Sequence, residues 1–158
     1  MREALREVMS QFYTDGVPSD AIGRQGHFPE VRNNATVVKG MRRTGKTYFT
    51  YLRMRKLLAS GMPLERIVHI NFDDERLYGV ITAPELDDIL QAYASMFPHK
   101  PVLLLDEIQN VDGWEHFARR LANRKYLVMV TGSNAKMLSK DMATVLGNRY
   151  LDERMFPY

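Results

Sequence analysis

Residues 101–107 read PVLLLDE, an unbroken apolar run that ends in two adjacent carboxylates. A strand with one wet face alternates apolar and polar positions. A strand apolar at every position is covered on both faces, and that belongs to a parallel sheet flanked by helices. Parallel neighbours need crossover connections, so the rest of the chain should alternate between the two periods. It does. ATVVKG (35–40), ERIVHINF (65–72) and YLVMV (126–130) read as further strands, and NRYLDERMF holds a fifth. A helix is expected from Lys46 to about Ala59, ended by Gly61 and Pro63. Thr82 and Pro84 open another, with Leu86, Ile89, Leu90, Tyr93 and Phe97 on one face. Asp112 stands where it would cap a helix carrying Trp114, Phe117 and Leu121, and a last helix is expected around 135–146. The fold class is α/β with a mostly parallel sheet.

Ahead of this pattern, Leu5, Val8, Met9 and Phe12 recur at helical spacing, which predicts a helix over 2–13. Residues 14–34 contain two prolines and three glycines with few apolar positions and read as a linker. The organisation expected is therefore an N-terminal helix and linker over 1–34 and a core over 35–158. With 22 Lys and Arg against 19 Asp and Glu, the net charge of +3 is too small to imply nucleic acid by itself. There is no cysteine, so disulfides and thiolate metal sites are excluded. No stretch has the length of a membrane span and the N-terminus is charged, so a cytoplasmic protein is expected.

One residue, Lys39, after the ATVV run stands GMRRTGKT at 40–47. It satisfies G-x-x-x-x-G-K-[ST] through Gly40, Gly45, Lys46 and Thr47, in the strand–loop–helix context that gives the pattern meaning. The loop Gly40, Met41, Arg42, Arg43, Thr44, Gly45, continuing to Lys46, Thr47 and Tyr48, is the candidate phosphate cradle. Glycines let backbone N–H groups wrap the phosphates, and the helix that follows presents its positive end. Lys46 would reach the outer phosphates and Thr47 would ligate Mg²⁺. Arg42 and Arg43 add positive charge or are solvated surface residues.

Asp106 ends an apolar strand where a phosphate-loop site needs a carboxylate for Mg²⁺. Glu107, next to it, is placed to deprotonate an attacking water, which argues for hydrolysis. TGSN (131–134) follows the fourth strand. In a parallel sheet its Thr131, Ser133 and Asn134 emerge beside the two carboxylates. Thr131 or Ser133 would sense the γ-phosphate or the water, or Ser133 or Asn134 would simply cap a helix. Asn71, at the end of the second strand, is a candidate restraint on Glu107. DDER (73–76) reads as a solvated loop, and His69 and His116 as ordinary strand and helix residues.

VVKGMRRTGKT, VHINFDDERL, LLLDEIQNVDGWE, VTGSNAKMLS and LGNRYLDERMFPY together resemble one family, the predicted AAA+-type P-loop ATPases of bacteria and archaea. The resemblance covers about 35–158. It implies a three-layer sandwich around a five-stranded sheet of order 5-1-4-3-2, with Glu107 catalytic. It also implies that an arginine from a neighbouring subunit of a homo-oligomer completes the site, and Arg149 matches that position. The family sets Gly directly before this arginine, whereas here Asn148 intervenes. A lid and a C-terminal domain of unknown function follow in the family, so this chain is expected to be the ATPase core alone.

The reading these features favour is ATP binding and Mg²⁺-dependent hydrolysis by a nucleotide-driven switch or motor domain. Two alternatives stay open. One is a small-molecule kinase, which also uses such a loop. The other is a nucleotide-gated module with little turnover, whose Arg119, Arg120, Arg124 and Lys125 would meet a nucleic acid or protein client. A GTPase is disfavoured, because no Asn-Lys-x-Asp guanine-reading motif occurs.

Overall fold

The computed structural model describes residues 1–16, 35–39, 46–132 and 150–154, with the backbone alone for 35–39, 46–49 and 150–154. In chain order these form α1 (Arg2–Asp15), β1 (Ala35–Lys39), α2 (Lys46–Ala59), β2 (Ile67–Asn71), α3 (Asp88–Ala94), β3 (Val102–Asp106), α4 (Trp114–Asn123), β4 (Val128–Gly132) and β5 (Tyr150–Arg154). The strands make one five-stranded parallel sheet in the order β2-β3-β4-β1-β5, the order expected from the family resemblance.

Position in the sheet explains the sequence pattern. β3 and β4 lie inside it, and every residue of both is buried, which is why PVLLL carries no alternation. β2 lies at the sheet edge, and His69 and Asn71 on it are only half-buried.

Strand periodicity then sorts side chains to two faces. Val68, Ile70, Leu103, Leu105, Val128 and Val130 share one core with Leu86, Ile89 and Tyr93 near α3 and Trp114 and Phe117 of α4. Ile67, Val102, Leu104 and Met129 point the other way, onto Met54 of α2. Each of the large apolar side chains contributes roughly 1.5–3 kcal/mol by leaving water.

α1 closes one side of this body. Its Leu5, Val8 and Met9 enter the first core, and Phe12 enters the second. The Tyr13 hydroxyl donates to the Ile67 carbonyl at 2.7 Å, and Arg2 pairs with Gln91 of α3. Arg76, in the loop after β2, donates to Asp74 at 2.6 and 2.8 Å, to Glu7 at 3.3 Å and to Gln11 at 2.8 Å. DDER is thus a clamp for α1 as well as a surface loop. Arg76 holds the Asp74 carboxyl below its ordinary range, chiefly through the side-chain hydrogen bond.

Two expected helix starts differ in detail. Thr82 and Pro84 open a 3₁₀ turn over Ala83–Asp87, which leads into α3. The Glu85 carboxylate accepts from the Thr82 N–H at 3.1 Å and its hydroxyl at 2.9 Å. At α4 the cap is Gly113 rather than Asp112. Its φ of 82° is the left-handed region glycine favours, and a Cβ there would press on Ala83 at 3.3 Å.

Candidate active site

The same period of two that sorts the core builds the site. On β3, Leu104 faces α2, so Asp106, two residues on, faces α2 as well. β2 pairs Asn71 with Asp106 and His69 with Leu104. β4 pairs Val130 with Leu105, which brings Thr131 beside Asp106. His69, Asp106 and Thr131 therefore meet at the carboxyl ends of three adjacent strands, under α2. Ligands of open α/β sheets bind at such an edge.

Asp106 is 1% exposed and carries three contacts. Its Oδ1 accepts from the Thr50 hydroxyl of α2 at 2.8 Å and from the Thr131 hydroxyl at 3.0 Å. Its Oδ2 lies 2.6 Å from His69 Nε2, which donates, since a carboxylate only accepts. A carboxylate taken from water without such donors would lose several kcal/mol. The Thr131 hydroxyl also accepts from the Glu107 backbone N–H at 3.1 Å, so one side chain fixes both acidic residues.

Glu107 adopts a left-handed backbone, φ 55° and ψ 43°, a conformation that costs a non-glycine residue about 1–2 kcal/mol. It turns the chain off β3 into the 3₁₀ turn Ile108–Asn110. The Gln109 Nε2 donates to Glu107 Oε2 at 2.7 Å. Gln109 is 8% exposed, and its Oε1 has no hydrogen-bond partner among the described residues. A buried acceptor in that condition costs about 1–3 kcal/mol.

Several expectations change here. His69 is not an ordinary strand residue, because it faces α2 rather than solvent and grips Asp106. Asn71 does not restrain Glu107. Its Oδ1 accepts from the Asp73 N–H at 2.9 Å, and the Gln109 amide donates to the Glu107 carboxylate. The expectation for the basic run is unchanged, and on it Arg120 forms a half-exposed surface pair with Asp87 at 3.0 Å.

Thr50, His69 and Gln109 are site residues that sequence reasoning did not select. Thr50 follows Thr47 by three residues, which sets the two on one helix face, and that spacing was the available signal. Gly40–Gly45, Ser133, Asn134, Arg149 and the helix expected at 135–146 lie outside the described residues, as do the side chains of Lys46, Thr47 and Tyr48.

The arrangement fits a hydrated Mg²⁺. Such an ion keeps several waters and takes one or two protein oxygens rather than a cage. A carboxylate oxygen has two acceptor directions, and Asp106 Oδ2 has one contact. A pocket of about 310 Å³ opens beside His69 and is lined in part by Phe12, Tyr51 and Asn71. A second groove, between Pro84 and Arg119, is lined by neither Asp106 nor Glu107.

With this geometry in hand, the family is decided by a match of residues 32–158 to the AAA domain model. The chain belongs to the AAA domain family. That makes it a nucleotide-binding domain of the ATPase type. It is 38% identical over 136 residues to the uncharacterized protein MJ1544 of Methanocaldococcus jannaschii, covering 86% of this chain and 29% of that protein. It is 31% identical over 122 residues to an uncharacterized protein of Haemophilus influenzae, covering 77% of this chain and 30% of that one. The chain thus spans less than a third of the length of these relatives. In fold it is similar to PCH-2 of C. elegans, at a TM-score of 0.53 and 13% identity, over 99% of this chain and 42% of that one. Among the described residues, no helix of this AAA domain is long and apolar enough to cross a membrane.

Proposed function

We propose that this AAA domain binds Mg-ATP and hydrolyses it by direct attack of water on the γ-phosphorus. The observation that carries the reading is the joint anchoring of Asp106 by Thr50 and Thr131. It sets a buried carboxylate against the helix that begins with Lys46 and Thr47, with Glu107 as its neighbour. The Gly40–Gly45 loop with Met41, Arg42, Arg43 and Thr44, continued by Lys46, Thr47 and Tyr48, cradles the phosphates. Thr47 and Asp106 would hold the metal, which when bound would offset negative charge on the phosphates. Glu107 accepts a proton from water as the water oxygen bonds to the γ-phosphorus. The bond from that phosphorus to the β–γ bridging oxygen breaks, and ADP leaves. Thr131 orients both acids, and Ser133 is the second polar group assigned to the γ-phosphate. Arg149, supplied by a neighbouring copy, stabilises the developing charge.

Loss of the γ-phosphate changes the contacts at this edge, so the domain acts as a nucleotide-driven switch or motor in the cytoplasm. Its client is a protein or nucleic acid. Calorimetric titration with Mg-ATP, Mg-ADP and Mg-GTP, repeated with Lys46→Ala, tests the binding half. Adenine-selective binding that the variant loses is the expected outcome. Binding that survives Lys46→Ala would sink the assigned cradle.

A further inference from the structure

We propose that Gln109 orients the attacking water together with Glu107. This rests on the hydrolytic reading above. The two polar atoms of the Gln109 amide sit on one carbon. One of them, Nε2, donates to Glu107 Oε2 at 2.7 Å, and that contact fixes which end of the amide is the acceptor. The acceptor, Oε1, is left without a partner among the described residues, on a side chain only 8% exposed. Buried acceptors in proteins are nearly always satisfied, by protein or by ordered water. Here the group is beside a carboxylate that sits on a left-handed turn at the end of β3.

Water has two protons. Glu107 accepts one during attack, and Gln109 Oε1 accepts a hydrogen bond from the other, which fixes the direction of the attacking lone pair. The amide itself neither gains nor loses a proton. Its N–H keeps the base in place and its oxygen keeps the water in place. Thr131 reaches Glu107 only at the backbone N–H, and Asn71 is turned to Asp73.

Gln109→Met keeps the length of the side chain and removes both polar atoms. The test compares the wild-type chain, Gln109→Met and Glu107→Gln in three measurements. A crystal structure without nucleotide should show an ordered water within about 3.2 Å of Gln109 Oε1, absent in Gln109→Met. Thermal unfolding of Gln109→Met should show a lowered midpoint, because Glu107 Oε2 loses its Nε2 donor, so turnover is read per folded molecule. Phosphate release from Mg-ATP should fall in Gln109→Met by about 10-fold or more, with KM within about twofold. A merely structural role would instead leave turnover per folded molecule intact. An Oε1 without water, or a Gln109→Met chain with wild-type turnover, overturns the proposal. If Glu107→Gln keeps wild-type turnover, the hydrolytic reading fails. The water at Oε1 is then judged on the crystal structure alone.

Discussion

The Thr50 hydroxyl donates to Asp106 Oδ1 at 2.8 Å across 56 residues of sequence. It ties the helix that follows the Gly-rich loop to the end of a central strand. α2 and the acidic pair are therefore held in one frame. Thr50→Val keeps the shape and deletes the donor, leaving a buried carboxylate short of one partner. Stability should fall by about 1.5–3 kcal/mol, read by urea denaturation. A double-mutant cycle with Asp106→Asn should show coupling between the two sites, and strictly additive losses would mean that the bond contributes nothing.

His69 grips the other oxygen of Asp106 at 2.6 Å and packs edge-on against Phe12 and Tyr51, with ring centroids 5.7 and 5.8 Å away. His69→Phe should retain those ring contacts and lose about 1–3 kcal/mol of stability through the unpaired oxygen. His69→Gln, which can still donate, should recover part of that loss. Equal stability of the two variants would assign the role of His69 to packing instead.

Much of this was legible in the sequence. The unbroken PVLLL run fixed the parallel sheet, because a strand covered on both faces leaves no room for alternation. Asp106 and Glu107 stood out because the run ends on them. Thr50, His69 and Gln109 did not, for three separate reasons. The pattern of α2 marks which residues share a face but not which strand that face meets. Strand alternation places His69 on the α2 side only once β2 is known to pair with β3. Gln109 reaches back to Glu107 because Glu107 takes a left-handed turn, and nothing in the local residue pattern announces that for a glutamate.

α1 is built into the body through Tyr13, whose hydroxyl donates to the Ile67 carbonyl at 2.7 Å. Tyr13→Phe should lower stability by about 1 kcal/mol. Burial, and after it the neighbouring Tyr93 and Glu65, push the Tyr13 phenol far above its ordinary value. The folded state therefore keeps its proton after the unfolded chain has lost one. The stabilisation from this group is complete below the phenol's ordinary value of about 10 and is lost as pH rises beyond it. Wild type should thus lose stability faster than Tyr13→Phe on going into strong alkali. Parallel curves would contradict this placement of the phenol.

The acidic clamp at Arg76 works in the opposite pH direction. Asp74 is held below its ordinary value, so its contribution is present above about pH 4 and is lost as pH falls through the lowered value. The pair is partly exposed, so the effect should be small and weaken in salt. Arg76→Gln should flatten the acid limb of the stability curve and speed amide hydrogen exchange in α1. Unchanged exchange there would mean that the core contacts of Leu5, Val8 and Met9 hold α1 without the clamp.

The most direct test of the central claim is single-turnover phosphate release from Mg-ATP by the wild-type chain and Glu107→Gln, with binding measured on the same samples. The expected result is Mg-ATP affinity within about twofold of wild type and release slower by about 100-fold or more, because the substitution removes the base and leaves the cradle. Release at the wild-type rate from Glu107→Gln would contradict the assignment of hydrolysis to the carboxylates at the end of β3.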